Sequence, residues 1–386
     1  MKKRFMALFL AAVMVCGSLA ACGGDKKEET KAPETKKETK AETKAPAGEE
    51  TKAPEAGETK APEGGETQSA EGGVMEGTFD QKYTWSLATT YATGTPMVDA
   101  YNLFAERLSE YSGGAITLNV FPDSSLMGEN DSFLAVKSGE LEFCGFGPTC
   151  FYLYSEDYGY MLAPFLIESK EAYQRLYNSD LVEQAKKLWR EEYNTRDVAG
   201  MAYRGFRNMS CNTPINGVDD LKGVKLRLND NQLWSASWST FGATPVPIAL
   251  GELYTSIQNG AADASEGPWE QMKSINLEEV QDYIIETKHI CESVGIWMAE
   301  DLYQSLPDNY KAVVDRAGKE AVEYLEEEAI KREADYKQQL IDGGCEFIEP
   351  DLSGFKTAAE DLWNEYFEST WTTSTLEEVQ AIMAGE

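Results

Sequence analysis

Strand and helix patterns alternate along the chain, and this alternation restricts the fold more than any other feature of the sequence. In residues 83–87 and 116–120 every second residue is apolar, as in half-buried strands, and a third strand begins at Leu141. A helix pattern that opens at Pro96 separates the first two strands, and a short one around Phe133 separates the second from the third. The order β-α-β-α-β predicts a mostly parallel sheet with helices on its faces.

The same alternation returns in the second half of the chain. Alternating apolar residues at 224–228 predict a strand, and residues 244–247 are expected to be extended. Helix patterns cover residues 233–241 and 250–258, and a short strand follows at 261–265. Two α/β units of similar size predict an α/β fold with two lobes and a cleft between them.

One predicted helix is unusually long. From residue 308 to residue 341 there is no proline, and Gly318 is the single glycine. Five small or apolar residues are spaced for one buried stripe: Val314, Ala317, Ala321, Leu325 and Ala329. At a rise of 1.5 Å per residue the helix would be roughly 50 Å long, longer than either lobe. We therefore expect it to span both lobes.

The first 21 residues have the parts of a secretory signal peptide, with a basic start at Lys2-Lys3-Arg4 and an apolar run at 5–15. The segment Leu19-Ala20-Ala21-Cys22 resembles the bacterial lipobox, in which the cysteine is lipidated and becomes the mature N-terminus. The alternative is an ordinary signal peptide with an incidental cysteine. We expect an extracytoplasmic protein, anchored through Cys22 to the outer face of the cell membrane or located in the periplasm.

Residues 22–79 differ in composition from the rest of the chain. No aromatic residue occurs between residues 23 and 78, and Thr-Lys-Ala-Pro occurs four times. Such a segment cannot bury enough apolar surface to offset its ordering entropy. We expect a disordered tether rich in Lys, Glu, Pro and Thr.

Charge excludes one class of partner. The formal net charge is −31, and because the signal segment holds three basic residues and the tether nine Lys against fourteen acids, about −29 falls on the folded part. Nucleic acid is therefore not an expected partner.

The mature folded part holds an odd number of cysteines, namely Cys144, Cys150, Cys211, Cys291 and Cys345. A complete disulfide framework is thus excluded, although Cys144 and Cys150 could pair.

Signals for catalysis are few. His289 is the single histidine, so a site with several histidine ligands is excluded, and no glycine-rich phosphate loop of known spacing occurs. We expect neither a metal nor a cofactor, and no enzyme activity. A secreted hydrolase that uses His289 remains an alternative, although a histidine in an apolar strand is more often a hydrogen-bonded core group.

Arg227 is the residue that points most directly to a ligand. In Val224-Lys225-Leu226-Arg227-Leu228 the apolar side chains face one side of the strand, and Lys225 and Arg227 face the other. Arg227 stands near the carboxyl end of its strand, where ligands bind in open α/β sheets, and its planar fork suits a carboxylate. The alternative is a surface arginine on an edge strand.

A run of short motifs in fixed order resembles the solute-binding subunits of tripartite ATP-independent periplasmic (TRAP) transporters, the DctP family. The motifs are Arg207-Asn208, Asp220-Leu221-Lys222-Gly223-Val224-Lys225-Leu226-Arg227, Phe241-Gly242-Ala243-Thr244-Pro245-Val246-Pro247, Glu252-Leu253-Tyr254, Gln258-Asn259-Gly260-Ala261-Ala262-Asp263 and Glu266-Gly267-Pro268. Weaker matches extend the resemblance over about Tyr83 to Tyr366.

The resemblance implies two α/β lobes of a periplasmic-binding-protein-like fold, joined by strands and by a long helix that spans both. Lobe I would comprise 80–204 with about 293–332, and lobe II 205–292 with about 333–386. The family places the arginine that holds the substrate carboxylate at Arg227, and an assisting arginine of some members at Arg207. The other expected ligand contacts are Thr90, Tyr91, Phe146, Trp234, Leu250, Glu266, Gly267 and Trp269.

The chain departs from the sialic-acid-binding members of that family. Those members carry asparagine where Gly267 stands, phenylalanine at Leu250, and polar residues near Gly147 and Cys150. We therefore expect an organic acid other than sialic acid, captured and delivered to TRAP membrane permease subunits. Alternatives are a binding lipoprotein of an ABC importer and a structural surface lipoprotein that binds no solute.

Overall fold

The computed structural model of the chain describes residues 73–386; the predicted signal peptide, Cys22 and the predicted tether up to residue 72 lie outside this range. Nine strands are found in the described part. They are β1 (Tyr83–Ala88), β2 (Ile116–Phe121), β3 (Phe143–Phe146), β4 (Thr195–Cys211), β5 (Lys225–Leu228), β6 (Thr244–Pro247), β7 (Ala264–Gly267), β8 (Tyr283–Ala299) and β9 (Glu346–Ile348).

Helices pack around these strands. They are α1 (Pro96–Tyr111), α2 (Glu129–Ser138), α3 (Cys150–Leu153), α4 (Lys170–Tyr177), α5 (Asp180–Tyr193), α6 (Gln232–Thr240), α7 (Leu253–Gln258), α8 (Trp269–Ser274), α9 (Glu300–Ser305), α10 (Asp308–Asp342), α11 (Ser353–Ser369) and α12 (Leu376–Ala384). Within residues 73–386 no helix has both the length and the apolar character to cross a membrane.

All strands form one mixed sheet in the order β2-β1-β3-β8-β4-β7-β5-β6, with β9 added beside β8. The pairs β1–β2, β1–β3, β5–β6 and β5–β7 are parallel, as the alternation of strands and helices predicts for each half. The two halves are joined by β4 and β8, which run antiparallel to each other and are 17 residues long each. The predicted α/β fold is confirmed.

The ladder between β4 and β8 is irregular near its middle. Its register shifts three times, and the central shift lies between Tyr203 and Gly205, where Gly205 pairs with Glu292. Gly205 has a φ of +104°, a conformation open mainly to glycine. A bulge of this kind bends the strand and increases its twist locally. The two long strands therefore change direction where they pass from one half of the molecule to the other.

Helix α10 confirms the long helix predicted from the sequence. It has 35 residues, from Asp308 to Asp342, and all five residues of the predicted stripe are buried. Its first two thirds pack with β1, β2 and α1 in one apolar core, which includes Val314 and Leu325. Its last turns reach a second core around α7 and α8, where Leu340 is fully buried. One helix thus contributes to the cores of both halves.

Three local expectations need correction. The fold begins before residue 80, because Met75 N donates to Tyr111 O at 2.9 Å and Asn309 Nδ2 donates to Thr78 O at 2.9 Å. The predicted tether is therefore too long at its C-terminal end. The helix expected over 250–258 starts with a 3₁₀ turn at Leu250–Glu252, and the following strand starts at residue 264. A turn follows α7, and the chain reaches the neighbouring strand β5 at residue 263, where Asp263 N donates to Lys225 O at 2.8 Å.

The cysteines of the described range are all buried and free. Cys144 and Cys150 each have a fully buried side chain in the same apolar cluster. The pairing left open by the sequence is therefore absent from the described residues, and both cysteines act as small apolar groups in the core.

Candidate functional site

A cavity of about 630 Å³ lies between the two halves of the sheet. Its walls come from the chain that follows the carboxyl ends of β1, β3, β5 and β6, together with the start of α2 and the middle of β4. Carboxyl ends of parallel strands meet along one edge, and that edge is where open α/β sheets bind ligands. The volume is within the range of pockets that enclose small organic molecules.

Arg227 lies on the wall of this cavity, and its environment is unusual for an arginine. The residue is 3% exposed, and its Nε donates to Ile248 O at 2.8 Å. No carboxylate of the residues that the structure describes lies within 4.0 Å of its guanidinium nitrogens. Burial lowers the pKa of Arg227 to about 10, so the side chain is still charged at neutral pH. The cavity therefore contains a cation with no counter-ion from the described part of the protein.

Arg207 also lines the cavity, but its charge is neutralised within the protein. Its Nε and Nη2 bind the two carboxylate oxygens of Glu266 at 2.5 and 2.6 Å, and its Nη1 binds Glu292 Oε2 at 2.7 Å. The guanidinium carbon lies 4.6 Å from the ring centroid of Trp234, in cation–π contact. Trp234 is held by its Nε1, which donates to Leu162 O at 3.0 Å. Arg207 is thus fixed in orientation by two acids and one aromatic ring.

Arg204, three residues before Arg207 in β4, forms a similar arrangement. Its Nε and Nη2 donate to Glu270 Oε2 at 3.2 and 2.7 Å. Its guanidinium carbon lies 4.3 Å from the ring centroid of Tyr91. Burial would lower the pKa of Arg204, but Tyr91, Glu270 and Glu292 raise it above its usual value. Tyr91 therefore borders the cavity, and its ring contacts the ion-paired guanidinium of Arg204.

His289 lies behind this network and away from the cavity wall. It is 1% exposed, its Nδ1 is 2.8 Å from Thr287 Oγ1, and its Nε2 is 3.1 Å from Glu266 Oε2. Burial lowers the pKa of His289, so the imidazole is neutral at pH 7, with Nε2–H donating to Glu266. Burial would raise the pKa of Glu266, but Arg207 and His289 lower it to about 2. His289 is the hydrogen-bonded core histidine that the sequence favours.

Acidic side chains line the remainder of the cavity. Glu129 and Asp131 stand in the first turn of α2, Asp230 follows β5, and Glu292 stands beside Arg207. Burial raises the pKa of Glu129, while a hydrogen bond donated by Thr149 Oγ1 acts in the opposite direction. In their ionised form these groups accept hydrogen bonds and repel further negative charge.

Several of the residues expected from the sequence come together on the cavity wall. They are Thr90, Tyr91, Arg207, Arg227, Trp234 and Leu250. The other expected contacts lie outside the lining residues. Phe146 is fully buried behind Tyr91 with ring centroids 6.0 Å apart, and Glu266 lies behind Arg207. Gly267 pairs with Asn208 in the sheet, and Trp269 packs in the core around α7 and α8.

Some lining residues were not foreseen. Asn229 stands two positions after Arg227 and lines the cavity with it, so strand alternation alone could have indicated it. Arg204 and Glu292 lie in strands whose bulges break the alternation, and their ion pairs join residues far apart in sequence. No local pattern identifies such residues.

Known proteins resemble this chain in sequence and in fold. The model of the family "Bacterial extracellular solute-binding protein, family 7" (DctP) matches residues 87–370. A solute-binding protein of Roseobacter denitrificans is 31% identical over 262 residues, which is 67% of this chain and 79% of that protein. The C4-dicarboxylate-binding periplasmic protein DctP of Rhodobacter capsulatus is 25% identical over 66% of this chain and 76% of its own length.

Solved structures show the same fold. A TRAP periplasmic solute-binding protein of Roseobacter denitrificans with bound L-galactonate aligns with a TM-score of 0.71 and 28% identity, covering 76% of this chain and 99% of that chain. One from Shewanella oneidensis with bound succinate aligns with a TM-score of 0.73 and 21% identity, covering 78% of this chain and 99% of that one.

Proposed function

The chain belongs to family 7 of the bacterial extracellular solute-binding proteins, the DctP family of TRAP transporters, and on this premise we propose that it captures a small organic acid anion outside the cytoplasm. It then delivers the anion to the permease subunits of its transporter. The protein acts by binding and release, without chemical conversion of the solute.

One observation supports this proposal above the others. Arg227 is buried at the wall of the cavity with its guanidinium charged and with no carboxylate of the described residues in reach. A buried charge is costly unless it is paired, so the site is complete when an anion enters. The planar fork of arginine binds a carboxylate through two parallel hydrogen bonds. We assign the solute carboxylate to Arg227.

The burial of His289 speaks against the hydrolase alternative. His289 is 1% exposed and is absent from the cavity wall, so it cannot reach a substrate bound there. The relatives reported above are named as binding proteins. An ABC importer is likewise a less suitable partner, because the family match is to TRAP subunits.

The proposal also includes the location. Cys22 follows a signal-like segment, and residues 22–72, which lie outside the described range, join it to the fold. We propose that Cys22 is lipidated and that the following segment tethers the binding domain to the outer face of the membrane.

The function is tested by identifying what the protein binds. The purified protein is unfolded in urea and refolded to remove any bound solute, and the released fraction is analysed by mass spectrometry. Melting temperatures are then measured with sugar acids, C4-dicarboxylates and neutral sugars of matched size. We expect carboxylic acids, and not their neutral analogues, to raise the melting temperature, because a ligand that binds the native state stabilises it. Stabilisation by neutral sugars alone would refute the proposal.

We also expect the two lobes to close around the solute. We propose that lobe I comprises the described residues up to 204 with 293–332 and that lobe II comprises 205–292 with 333–386. The passage between them then falls at Gly205 and Glu292, in the irregular part of β4 and β8. A solute that contacts both lobes favours the closed state.

Small-angle X-ray scattering measures this closure as a smaller radius of gyration at saturating ligand. The tether contributes equally to both measurements. The Arg227→Ala variant at the same ligand concentration is the control, and it should keep the radius of the unliganded protein. An unchanged radius for the saturated wild-type protein would contradict closure.

A further inference from the structure

We infer that the solute is a monocarboxylate that bears hydroxyl groups, such as an aldonic acid, and that the cavity discriminates against dicarboxylates. This inference rests on the proposed function and narrows it to one class of acid. It follows from the charges on the cavity wall and from one polar atom that has no partner.

The cavity has a limited supply of positive charge. Three arginines line the cavity, and two of them are ion-paired: Arg204 with Glu270, and Arg207 with Glu266 and Glu292. Arg227 is the third, and among the lining residues, all of which the structure describes, no lysine or histidine adds a further cation. The cavity can therefore neutralise one carboxylate of the solute.

Negative charge also lines the cavity. Asp131 and Asp230 are lining residues, and neither of them forms an ion pair with a described residue. A second carboxylate on the solute would meet these acids without a cation to receive it, and like charges brought together at a binding site weaken binding. The same oxygens are good acceptors for hydroxyl groups. The wall thus favours a solute with one charge and several hydroxyl donors.

Asn229 offers the solute an unpaired hydrogen-bond acceptor. Its Oδ1 atom is buried and accepts no hydrogen bond from the described residues, and the side chain lines the cavity two positions after Arg227. Asn229 directly follows the last residue of β5, and in extended chain side chains two positions apart project to the same side, about 7 Å apart at the backbone. A solute held by its carboxylate at Arg227 can therefore place a hydroxyl donor at Asn229 Oδ1. Because buried acceptors are costly when unpaired, Asn229 selects for solutes with a hydroxyl group.

The test uses acids that differ in one feature at a time. Affinities are measured by calorimetry for aldonates of four to six carbons, including L-galactonate, D-gluconate and D-erythronate. The best aldonate is then compared with its aldarate, which has a second carboxylate, and with the unsubstituted fatty acid of the same length. We expect both comparison acids to bind at least about 100-fold more weakly. An aldarate or succinate that binds as tightly as the best aldonate would overturn the inference, as would equal binding of the fatty acid.

Two variants test which residues cause the discrimination between aldonates and other acids. Asn229→Ala should weaken aldonate binding by about tenfold, as loss of one hydrogen bond predicts, and should leave the unliganded melting temperature unchanged because the described residues form no bond to that side chain. Asp230→Asn should raise the affinity for the aldarate relative to the aldonate. Asp219→Asn is its matched control, since Asp219 is exposed and lies outside the cavity wall.

The possible outcomes distinguish failure of the inferred solute class from failure of the proposed function. If acids bind but dicarboxylates are preferred, or if neither Asn229→Ala nor Asp230→Asn changes selectivity, the inference is wrong and the proposed function stands. If no carboxylic acid binds, the proposed function itself fails, and the inference fails with it.

Discussion

Replacing Arg227 by alanine should weaken binding of the solute carboxylate by about thirtyfold to several thousandfold. Removal of one partner from a buried ion pair costs roughly 2–5 kcal/mol, much of it from leaving the other charge unpaired. At this site the loss is expected to be large because Arg227 is 3% exposed and no other unpaired cation lines the cavity within the described residues. Calorimetry with the best acid identified for the wild-type protein measures the effect.

Arg227→Lys is the informative companion to that variant. Lysine retains the charge but lacks the planar fork, so it should restore part of the lost affinity and not all of it. The melting temperature of each unliganded variant controls for misfolding. If Arg227→Ala folds normally and binds within a factor of three of the wild-type affinity, the carboxylate lies elsewhere, and Arg207 becomes the next candidate.

Replacing Arg207 by methionine should have a different and equally large effect, on stability. Arg207 is the cation between Glu266 and Glu292, which are 1% and 5% exposed. Removing one member of such a buried network leaves uncompensated charge in the core and typically costs 3–5 kcal/mol. Whole domains are stable by about 5–15 kcal/mol, so the variant should unfold at a much lower urea concentration.

Arg227→Met is the matched control for this experiment. The side chain lost is the same, and both arginines line one cavity, but Arg227 has no acid to leave unpaired. Burial lowers the pKa of Arg227 to about 10, which means that the unliganded fold disfavours its charge. Its removal should therefore leave the free energy of unfolding unchanged or raise it.

The two variants are compared by urea denaturation of the unliganded protein at neutral pH. Equal destabilisation by both would assign Arg227 to the structural framework and would weaken its assignment to the solute. A stable Arg207→Met variant would show that Glu266 and Glu292 find other partners.

The sequence predicts the regular parts of this fold well, because they follow from local periodicity. The strand at 83–87 and the stripe on α10 repeat with the periods of a strand and a helix, and both were found. The strands β4 and β8 were not foreseen as single 17-residue elements. They contain bulges, and buried polar residues such as Arg207, Glu292 and His289 interrupt their apolar pattern.

Some residues of the candidate site could likewise be inferred from local sequence, and others could not. Arg227 could be inferred because it stands on a short regular strand near its carboxyl end, and the motif run around it pointed to the same residue. The pairing of Arg204 with Glu270 joins residues 66 positions apart. Contacts of this range depend on the packed fold, so charge composition alone cannot distinguish a paired arginine from an unpaired one.

The way α10 crosses the molecule limits how it can move. If only β4 and β8 joined the two halves, one half could both bend and twist relative to the other. Helix α10 is a third connection between the halves, because it packs into the cores of both. We expect this third connection to restrict twisting more than bending, so that opening and closing follow mainly one rotation. If the protein functions as proposed, the closed form has a defined shape that a permease could recognise without contacting the solute.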